Sequence, residues 1–444
     1  TVGTPDTNGN KKGTFSAWVK RSKLGTEQAM YVTRTSGTQF VRFRFDSDKI
    51  NVTSNTSGTN YYATTDAVYR DTSAWYHIVV AYDTTQATSA NRIRIYVNGV
   101  EQSKSASNYP SQNATIYLLA SGQPQRIGAN SSDAYFDGVM THVHYTEGYA
   151  YAATDFGETD STSGIWVPKT APSVTYGTNG FFLKFENSAA MGTDSSGQSN
   201  TFTVNNSVTQ NVDSPTNNFP TLNRSAPSQD NRTGGNGSLY TGDNSNNSWS
   251  SHPATMACES GKWYFEIKDE SDWGSTSDST RRYGIVNLGV SVNQNRASAT
   301  DVRFSDTTSA YAYMNASGVR TGGSTIGGST GTHPTFAEGD FIMVAMDLDN
   351  LKLYFGKNGT WLDSGNPASG ASGTGAVATL AAGAWAAYLE VKYGSDTASI
   401  NFGQGYFRTA VAGTNADANG HGKFKYSVPS GYYAICTKNI KEFG

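Results

Sequence analysis

The sequence has little cysteine and little charge. Cys258 and Cys436 are the only two cysteines among 444 residues, too few for a disulfide framework and without the spacing of a metal site. We therefore expect two buried thiols. Charged residues make up 16% of the chain and the formal net charge is −3, so a broad field that could hold nucleic acid or an anionic membrane is absent. Nucleic acid and anionic membranes are therefore disfavoured as partners.

Long apolar stretches are missing as well. No run of about 18 apolar residues occurs, which argues against membrane insertion. The N-terminal stretch TVGTPDTNGNKKGTF lacks the apolar centre of a signal peptide. Because the chain does not begin with Met, we keep open that an upstream part precedes Thr1.

Turn-forming and aromatic residues are plentiful instead. Glycine occurs 47 times and aromatic residues make up 12% of the chain, a composition typical of short strands joined by many turns. We therefore expect few helices. A chain of 444 residues allows about two to four domains of roughly 100–200 residues, and two large β domains would fit.

Two segments carry the pattern of a β-hairpin. RIRIYVNGVE (92–101) alternates polar and apolar residues and then reaches Asn98-Gly99, and LKLYFGKNGTW (351–361) repeats the pattern around a second Asn-Gly pair. Asn-Gly is the pair that best tolerates the positive φ angles of a type I′ turn. Because the two hairpins lie far apart in the chain, they predict two separate sheet domains.

The strand-like segments form two series with polar residues between them. The first series lies in residues 1–186, where WYHIVVAYD (75–83) has the apolar run of a strand covered on both faces. Residues 187–257 are rich in Gly, Ser, Asn and Pro, and we interpret them as an ordered connector with added strands. The second series occupies residues 258–408, and residues 409–444 are predicted to form a C-terminal strand and tail.

The order of the strand blocks resembles two known families. TFSAWVKRSK, WYHIVVAYD, RIRIYVNGVE and RIGANSSDAYFDGVMTHVHY follow each other as in the laminin G-like, concanavalin A-like jelly roll, over roughly residues 1–186. SGKWYFEIKD, GIVNLGVSV, GDFIMVAMDLDNLKLYFGKNGTW and ASINFGQGYF resemble a SPRY domain, over about residues 258–408. The expected fold class is therefore all-β, with two antiparallel β-sandwich domains of the jelly-roll, concanavalin A-like type joined by a polar connector.

The phrases between and after these blocks, such as DFGETDSTSGIWVPK and PSGYYAICTKNI, resemble structural proteins of tailed bacteriophages, especially marine ones. This resemblance implies a non-enzymatic adhesin on the virion surface, made in the bacterial host cytoplasm, that acts as a tail-fibre or receptor-binding component. Its expected partners are a host cell-surface glycan or receptor and other virion proteins, and it is expected to be a homo-oligomer, a trimer if it forms a fibre. The alternative is a capsid decoration or tail-assembly protein.

A carbohydrate-active enzyme is the third hypothesis. Concanavalin A-like folds include glycoside hydrolases, which need two carboxylates facing one cleft. The nearest candidate is FEIKDE, where Glu266 and Asp269 fall on opposite strand faces and so do not form such a pair. His77 is interpreted as a packed or edge histidine rather than a base. We therefore expect no catalytic residues.

Metal sites have two sets of candidates. His142 and His144 share a strand face at positions i and i+2, which can chelate a metal, but no third ligand is predicted nearby, and solvent-facing positions are the preferred interpretation. Laminin G-like domains often hold calcium with Asp side chains, so the resemblance makes calcium a candidate cofactor. Its candidate ligands are Asp46, Asp48, Asp133 and Asp137. The alternative is that Asp46, Asp48 and Asp137 make turn hydrogen bonds.

Aromatic residues with polar neighbours are the candidate ligand contacts, because sugar rings stack on flat apolar faces while amides and hydroxyls bind their hydroxyl groups. The candidates are Tyr61, Tyr62, Trp273, Tyr311, Tyr313 and Trp361. Each has the alternative role of a core or edge aromatic. Four other tryptophans lie inside apolar strands and are predicted to be core residues: Trp18, Trp75, Trp263 and Trp385.

Overall fold

A computed structural model describes residues 3–6, 8–116, 121–130, 133–205, 208–223, 239–241, 249–271, 280–289, 295–298, 301–316, 318–326, 333–393, 396–407, 409–411 and 415–444. The chain divides into two compact units, Thr1–Gln210 and Asn211–Gly444, which are called unit 1 and unit 2. The boundary falls inside the predicted connector. Residues 187–210 belong to unit 1, and the residues from 211 onward belong to unit 2.

Unit 1 is built from strands connected by tight turns. In chain order they are β1 (Lys12–Arg21), β2 (Gln28–Ser36), β3 (Gln39–Asp46), β4 (Lys49–Thr56), β5 (Thr59–Thr65), β6 (Tyr76–Asp83), β7 (Ile93–Val97), β8 (Val100–Glu101), β9 (Lys104–Asn108), β10 (Gln125–Ile127), β11 (Gly138–Glu147), β12 (Gly157–Thr159), β13 (Trp166–Pro168) and β14 (Phe181–Leu183). Short 3₁₀ turns lie at Ser89–Arg92 and Ala153–Asp155.

Two six-stranded antiparallel sheets form the body of unit 1. The first has the strand order β14-β11-β1-β6-β7-β8 and the second the order β10-β2-β3-β4-β5-β9, with β12 and β13 as a separate pair. Alternate residues of each strand face the core between the sheets, as the period of two requires. In β3, for example, Val41, Phe43 and Phe45 are core residues. The predicted all-β sandwich is confirmed.

The first sheet is covered on both of its faces. In β6, Ile78 and Val80 pack in the core between the sheets, whereas Val79 and Ala81 pack on the other face in a small cluster with Phe156. The segment after β11 supplies this cover. The apolar run of β6 is thus explained, and the prediction that this strand is buried on both sides is confirmed.

Both Asn-Gly pairs make the predicted turns. Asn98 and Gly99 have φ angles of 48° and 86°, and Asn358 and Gly359 have φ angles of 49° and 89°. Positive φ at both central positions defines the type I′ turn, which matches the right-handed twist of the strands it joins. Each pair connects two neighbouring antiparallel strands.

Unit 2 continues the strand numbering. Its strands are β15 (Leu239–Thr241), β16 (Ser250–Pro253), β17 (Lys262–Asp269), β18 (Arg281–Asn287), β19 (Asn295–Ser298), β20 (Asp301–Arg303), β21 (Ala310–Met314), β22 (Val319–Thr321), β23 (Ser324–Ile326), β24 (Phe341–Asp347), β25 (Lys352–Lys357), β26 (Thr360–Trp361), β27 (Ala378–Thr379), β28 (Trp385–Val391), β29 (Thr397–Asn401), β30 (Tyr406–Phe407), β31 (Thr409–Ala410) and β32 (Tyr433–Ala434). The 3₁₀ turns Phe304–Asp306, Leu362–Ser364 and Pro367–Ser372 and a short helix α1 (Thr437–Phe443) complete it.

An eight-stranded and a six-stranded sheet enclose the core of unit 2. One contains β15-β29-β17-β24-β25-β26, with β27 and β32 paired to β25 and β17, and the other has the order β16-β28-β18-β21-β22-β23. Phe219 and Leu222 pack in this core. They lie in the predicted connector, so part of that segment is an anchored portion of unit 2.

Both cysteines lie in unit 2. Cys258 and Cys436 are both buried and free, as predicted. Burial raises the pKa of the Cys258 thiol to about 12. Among the described residues, no helix is long and apolar enough to cross a membrane.

Candidate functional site

The second sheet of unit 1 has an outer face of polar side chains. Because side chains alternate, the neighbours of the core residues in β3, β4 and β5 point away from the core. On β3 these include Phe40 and Arg42, and on β4 and β5 they are mainly Asn, Thr and Tyr. The first sheet is covered on its corresponding face, whereas this one carries an open depression.

The strand register brings these side chains into rows. Arg42 pairs with Thr53, and Thr53 pairs with Tyr62. Asn51 pairs with Thr64 in the next row. A cation, an aromatic ring, amides and hydroxyls therefore meet on one face, although they come from separate strands.

These rows form a shallow trough of about 590 Å³. It is lined by Gly37, Phe40, Arg42, Asn51, Thr53, Asn55, Asn60, Tyr62 and Thr64. Among these described residues Arg42 is the only charged one. The trough is therefore a polar, hydrogen-bonding surface with one localised positive charge.

Hydrogen bonds hold the amide side chains of the trough in place. The Asn51 amide donates to Oγ1 of Thr64 at 2.8 Å, and Oγ1 of Thr53 donates to Oδ1 of Asn51 at 2.6 Å. The Asn55 amide donates to Oδ1 of Asn60 at 2.7 Å. A surface whose side chains are already oriented loses less conformational entropy when a ligand binds.

Arg42 is held at one side of the trough. Its guanidinium lies 4.4 Å from the centre of the Phe40 ring, a cation–π contact. Its nearest carboxylate is that of Glu27, with Nη1 and Oε1 3.8 Å apart. Burial lowers the pKa of Arg42 from its ordinary value, and the neighbouring cations of Arg44 and Arg34 lower it further.

The structure separates the two tyrosines predicted as ligand contacts in this region. Tyr62 lines the trough and is 36% exposed. Tyr61 faces the other way and packs against the core of unit 1. The period of two in β5 explains the difference, since adjacent residues point to opposite faces.

The remaining aromatic candidates belong to unit 2, and the three that the structure describes do not form one site. Tyr313 is fully buried and has the alternative role of a core aromatic, and Tyr311 packs beside Trp385 at the core. Trp361 lines a second cavity of about 290 Å³ together with His333 and other residues. Trp273 lies outside the described residues.

The candidate calcium ligands have other partners in the structure. The Asp48 carboxylate is buried and binds Arg21 at 3.0 Å and Arg70 at 2.9 Å. Asp46 pairs with Arg44, and the Asp133 carboxylate accepts a hydrogen bond from the Asn130 amide. The Asp137 carbonyl accepts one from the Ser22 amide.

Asp48 is thus the carboxylate of an ion-pair cluster. Burial opposes its ionisation, but hydrogen bonds from the Gly25 amide and from Arg70 and Arg21 leave its pKa below the ordinary value. In the described part of the chain, no group of three or more His, Cys, Asp or Glu side chains is arranged to hold a metal ion.

The histidine pair predicted to face solvent is interrupted by a bulge. His142 has a φ angle of 48°, and the register of β1 with β11 shifts at this point. His144 is buried, stacks on Phe182 at 3.9 Å and lies 3.0 Å from the hydroxyl of Tyr176, so its solvent-facing prediction is wrong. Burial lowers the pKa of both histidines.

The candidate enzyme carboxylates are enclosed in unit 2. Glu266 is fully buried and accepts hydrogen bonds from the backbone amides of Lys425 and Tyr426, at 2.9 and 2.8 Å. Asp269 is also buried and lies 3.1 Å from Arg281. Burial raises the pKa of Asp269 to about 6, although Arg281 acts in the opposite direction. Both carboxylates are placed to hold chain segments together.

Comparisons with known proteins agree with the fold of unit 1. The family model described as the concanavalin A-like lectin/glucanases superfamily matches residues 1–155, so this part of unit 1 is similar to that superfamily, and its two antiparallel sheets agree with a concanavalin A-like fold. Domains of this class include carbohydrate-binding and protein-binding modules as well as glycosidases. No curated protein matches the chain.

Three solved structures match parts of the chain at low sequence identity. The SPRY domain of human HERC1 is 17% identical, covering 38% of this chain and 90% of that one, with a TM-score of 0.28. Domain 4 of AbnA, a GH43 extracellular arabinanase from Geobacillus stearothermophilus in complex with arabinotriose, is 21% identical over 33% and 64%, with a TM-score of 0.25. A heptameric SAP-like pentraxin from Limulus polyphemus is 15% identical over 32% and 66%, with a TM-score of 0.24.

Most of the trough was missed by inference from the sequence. Tyr62 was predicted as a ligand contact because it is aromatic. The polar lining residues Arg42, Asn51, Thr53 and Asn55 were not predicted. A signal for them is present, because KINVTSNT and FVRFRF alternate polar residues with core residues. Alternation shows that a face is polar, but it cannot show which strands lie side by side.

Proposed function

We propose that this protein is a non-enzymatic adhesin that binds a glycan through the trough of unit 1. The observation that carries the proposal is the outer face of β3, β4 and β5, where Tyr62 and hydrogen-bonded amides and hydroxyls line one depression. Oligosaccharides present hydroxyl groups along their edges and apolar C–H groups on their faces. Amides and hydroxyls bind the former, and an aromatic ring packs on the latter.

The shape of the trough also favours a chain-like ligand over a small molecule. It is shallow and open, whereas sites for small molecules usually enclose most of the ligand. Individual contacts on such a surface are weak, so useful affinity requires many copies of the site. A virion component supplies them, because linked sites raise the effective concentration of each binding event.

The phage setting of the proposal rests on the linking phrases DFGETDSTSGIWVPK and PSGYYAICTKNI, which resemble tailed-phage structural proteins. In that setting the protein is a tail-fibre or receptor-binding component on the virion surface, its ligand belongs to the host cell surface, and it acts as a homo-oligomer. A capsid decoration or tail-assembly protein would have the same fold but would bind other virion proteins instead.

The test compares binding of the purified, oligomeric chain to susceptible host cells before and after enzymatic removal of surface polysaccharide. We expect binding that is lost with the polysaccharide and reduced about tenfold or more by Tyr62→Ala, the loss expected for one aromatic contact. Tyr149→Ala is the matched control, because Tyr149 is 44% exposed and is not part of the trough lining.

The opposite results have distinct meanings. Firm association with isolated phage particles, together with no binding to any cell, would support the assembly role. Equal losses for Tyr62→Ala and Tyr149→Ala would place the glycan site outside the trough.

A further inference from the structure

We infer that the glycan bound in the trough carries an anionic substituent, a carboxylate or a sulfate, that pairs with Arg42. This inference rests on the proposed glycan binding and narrows the class of ligand. The structural reason is that the trough contains one cation and, among its described lining residues, no anion.

The carboxylate nearest to Arg42, that of Glu27, lies closer to Arg44 than to Arg42. Oε1 of Glu27 lies 3.0 Å from Nη1 of Arg44 but 3.8 Å from Nη1 of Arg42. Arg44 has a second carboxylate as well, because Asp46 lies 3.0 Å from its Nη2. Arg44 is therefore compensated on two sides, whereas Arg42 has one distant partner.

The hydrogen-bonding capacity of Arg42 points the same way. Its side chain is 22% exposed, and its Nη1 atom lies 3.8 Å from Oε1 of Glu27, which is beyond hydrogen-bonding distance. Guanidinium groups bind carboxylate and sulfate oxygens through two parallel N–H donors, and such charge-assisted bonds are about twice as strong as neutral ones. An anionic group in the trough would thus meet a cation with unused donors.

Charges of both signs surround Arg42, and burial adds to the cost of its own charge. Arg34 and Arg44 disfavour its charged form and Glu27 and Asp133 favour it, while burial is the largest influence and lowers its pKa. An incoming anion would relieve both the repulsion and the incomplete solvation.

The charge is confined to this spot, which limits the kind of ligand. The chain as a whole carries a formal net charge of −3, so it has no broad positive field that would hold a densely charged polyanion. Neighbouring groups in the trough are neutral hydrogen-bonding side chains, which suit the hydroxyls of a sugar. A polysaccharide with isolated acidic substituents meets both conditions.

The test uses two matched pairs of probes with the purified oligomeric chain, measured by titration calorimetry at low ionic strength. Polygalacturonate oligosaccharides are compared with their fully methyl-esterified forms, and dextran sulfate of low substitution is compared with dextran. We expect at least one charged probe to bind about tenfold more tightly than its neutral partner, the gain typical of a charge-assisted contact. A preference in the polygalacturonate pair identifies a carboxylate as the substituent, and a preference in the dextran pair identifies a sulfate.

Two variants locate the effect. Arg42→Gln should remove the preference for the charged probe, and Arg42→Lys should keep part of it because the charge remains without the forked geometry. Arg94→Gln is the matched control: Arg94 lies on the first sheet, its side chain is 40% exposed and it does not line the trough, so the preference should survive.

The outcomes separate the inference from the function on which it rests. Equal binding of charged and neutral probes, or a preference that survives Arg42→Gln, overturns the inference and leaves glycan binding intact. If none of the four probes binds, the inference of an anionic substituent is also overturned. If host cells in addition show no polysaccharide-dependent binding, the proposed glycan binding is wrong as well.

Discussion

The indole N–H of Trp166 donates a hydrogen bond to Nδ1 of His77 over 2.9 Å. Since Nδ1 accepts, the proton of the neutral ring is on Nε2, which lies 2.9 Å from Oγ of Ser16 and donates to it. His77 therefore cannot act as a base toward Ser16. The arrangement joins β1, β6 and β13, and burial lowers the pKa of His77 to about 3.

This buried neutral histidine predicts a loss of stability in acid. An unfolded histidine has a pKa near 6.5, while His77 in the folded state has one of about 3, so between these values the unfolded state binds more protons. The free energy of unfolding should be level above about pH 6.5 and fall as the pH decreases below it. His142 and His144 act in the same direction.

The measurement is the urea midpoint of unit 1 at a series of pH values, read by pulse proteolysis. Each such histidine adds a slope of about 1.4 kcal/mol per pH unit in this window. His77→Gln should be less stable at pH 7 but show a shallower decline between pH 6 and 4. An unchanged slope in this variant would mean that His77 is protonated in the folded protein.

The ion-pair cluster of Asp48 predicts a structural role for this residue in place of calcium binding. Asp48→Asn leaves the buried Arg21 guanidinium without its carboxylate, and removing one partner of a buried pair costs about 3–5 kcal/mol. Asp46→Asn is the control in the same turn, because its side chain is 41% exposed and its pairing is worth at most about 1 kcal/mol.

The calcium arm of this experiment is a thermal melt with and without millimolar CaCl₂. We expect the melting temperature to stay constant, because the Asp48 carboxylate is occupied by two arginines. A rise that depends on calcium concentration and disappears in Asp48→Asn would establish a site that includes this residue.

Glu266 is predicted to stabilise unit 2 by holding the C-terminal segment. Glu266→Gln offers one acceptor oxygen where two backbone amides now donate, so we expect a loss of about 1–3 kcal/mol in the urea-derived free energy of unfolding. Cleavage by protease near residues 424–436 should also become faster. Glu338→Gln, at an exposed position of the same unit, should change neither quantity.

The same variant addresses the enzyme hypothesis. If the chain hydrolyses a polysaccharide and Glu266→Gln abolishes the activity with unchanged stability, Glu266 would be a catalytic carboxylate and the adhesin proposal would have to be given up.

The turn at Gly99 predicts a steric effect beyond that of backbone conformation. Gly99 and Gly58 have similar φ angles, 86° and 91°, so alanine should cost about 1–2 kcal/mol at either position. A Cβ on Gly99 would in addition lie 3.1 Å from the Trp166 ring, whereas one on Gly58 meets nothing within 4 Å. Gly99→Ala should therefore lower the melting temperature more than Gly58→Ala, and equal shifts would show that the indole moves freely.

The sequence predicted well wherever the determining forces were local. Alternation identified the strand 92–97, the Asn-Gly pairs identified both hairpin turns, and the apolar run of β6 showed that both of its faces are covered. The predicted core tryptophans Trp18, Trp75, Trp263 and Trp385 are all buried.

Prediction was weakest for residues whose surroundings come from distant parts of the chain. The sequence left Tyr313 open between a ligand contact and a core aromatic, and it predicted a solvent-facing His144; both residues are buried. Glu266 is far in sequence from the amides of Lys425 and Tyr426 that bind it.

What the sequence by itself determined is the all-β class, the division into two sheet domains and the turns, because strand period and turn conformation depend on neighbouring residues. Only the tertiary structure decided the trough. Arg42, Thr53 and Tyr62 lie on three strands, and the pairing register places them in one row. That register follows from packing the apolar side chains of these strands into one core, and a shift by a single residue would turn each polar side chain inward.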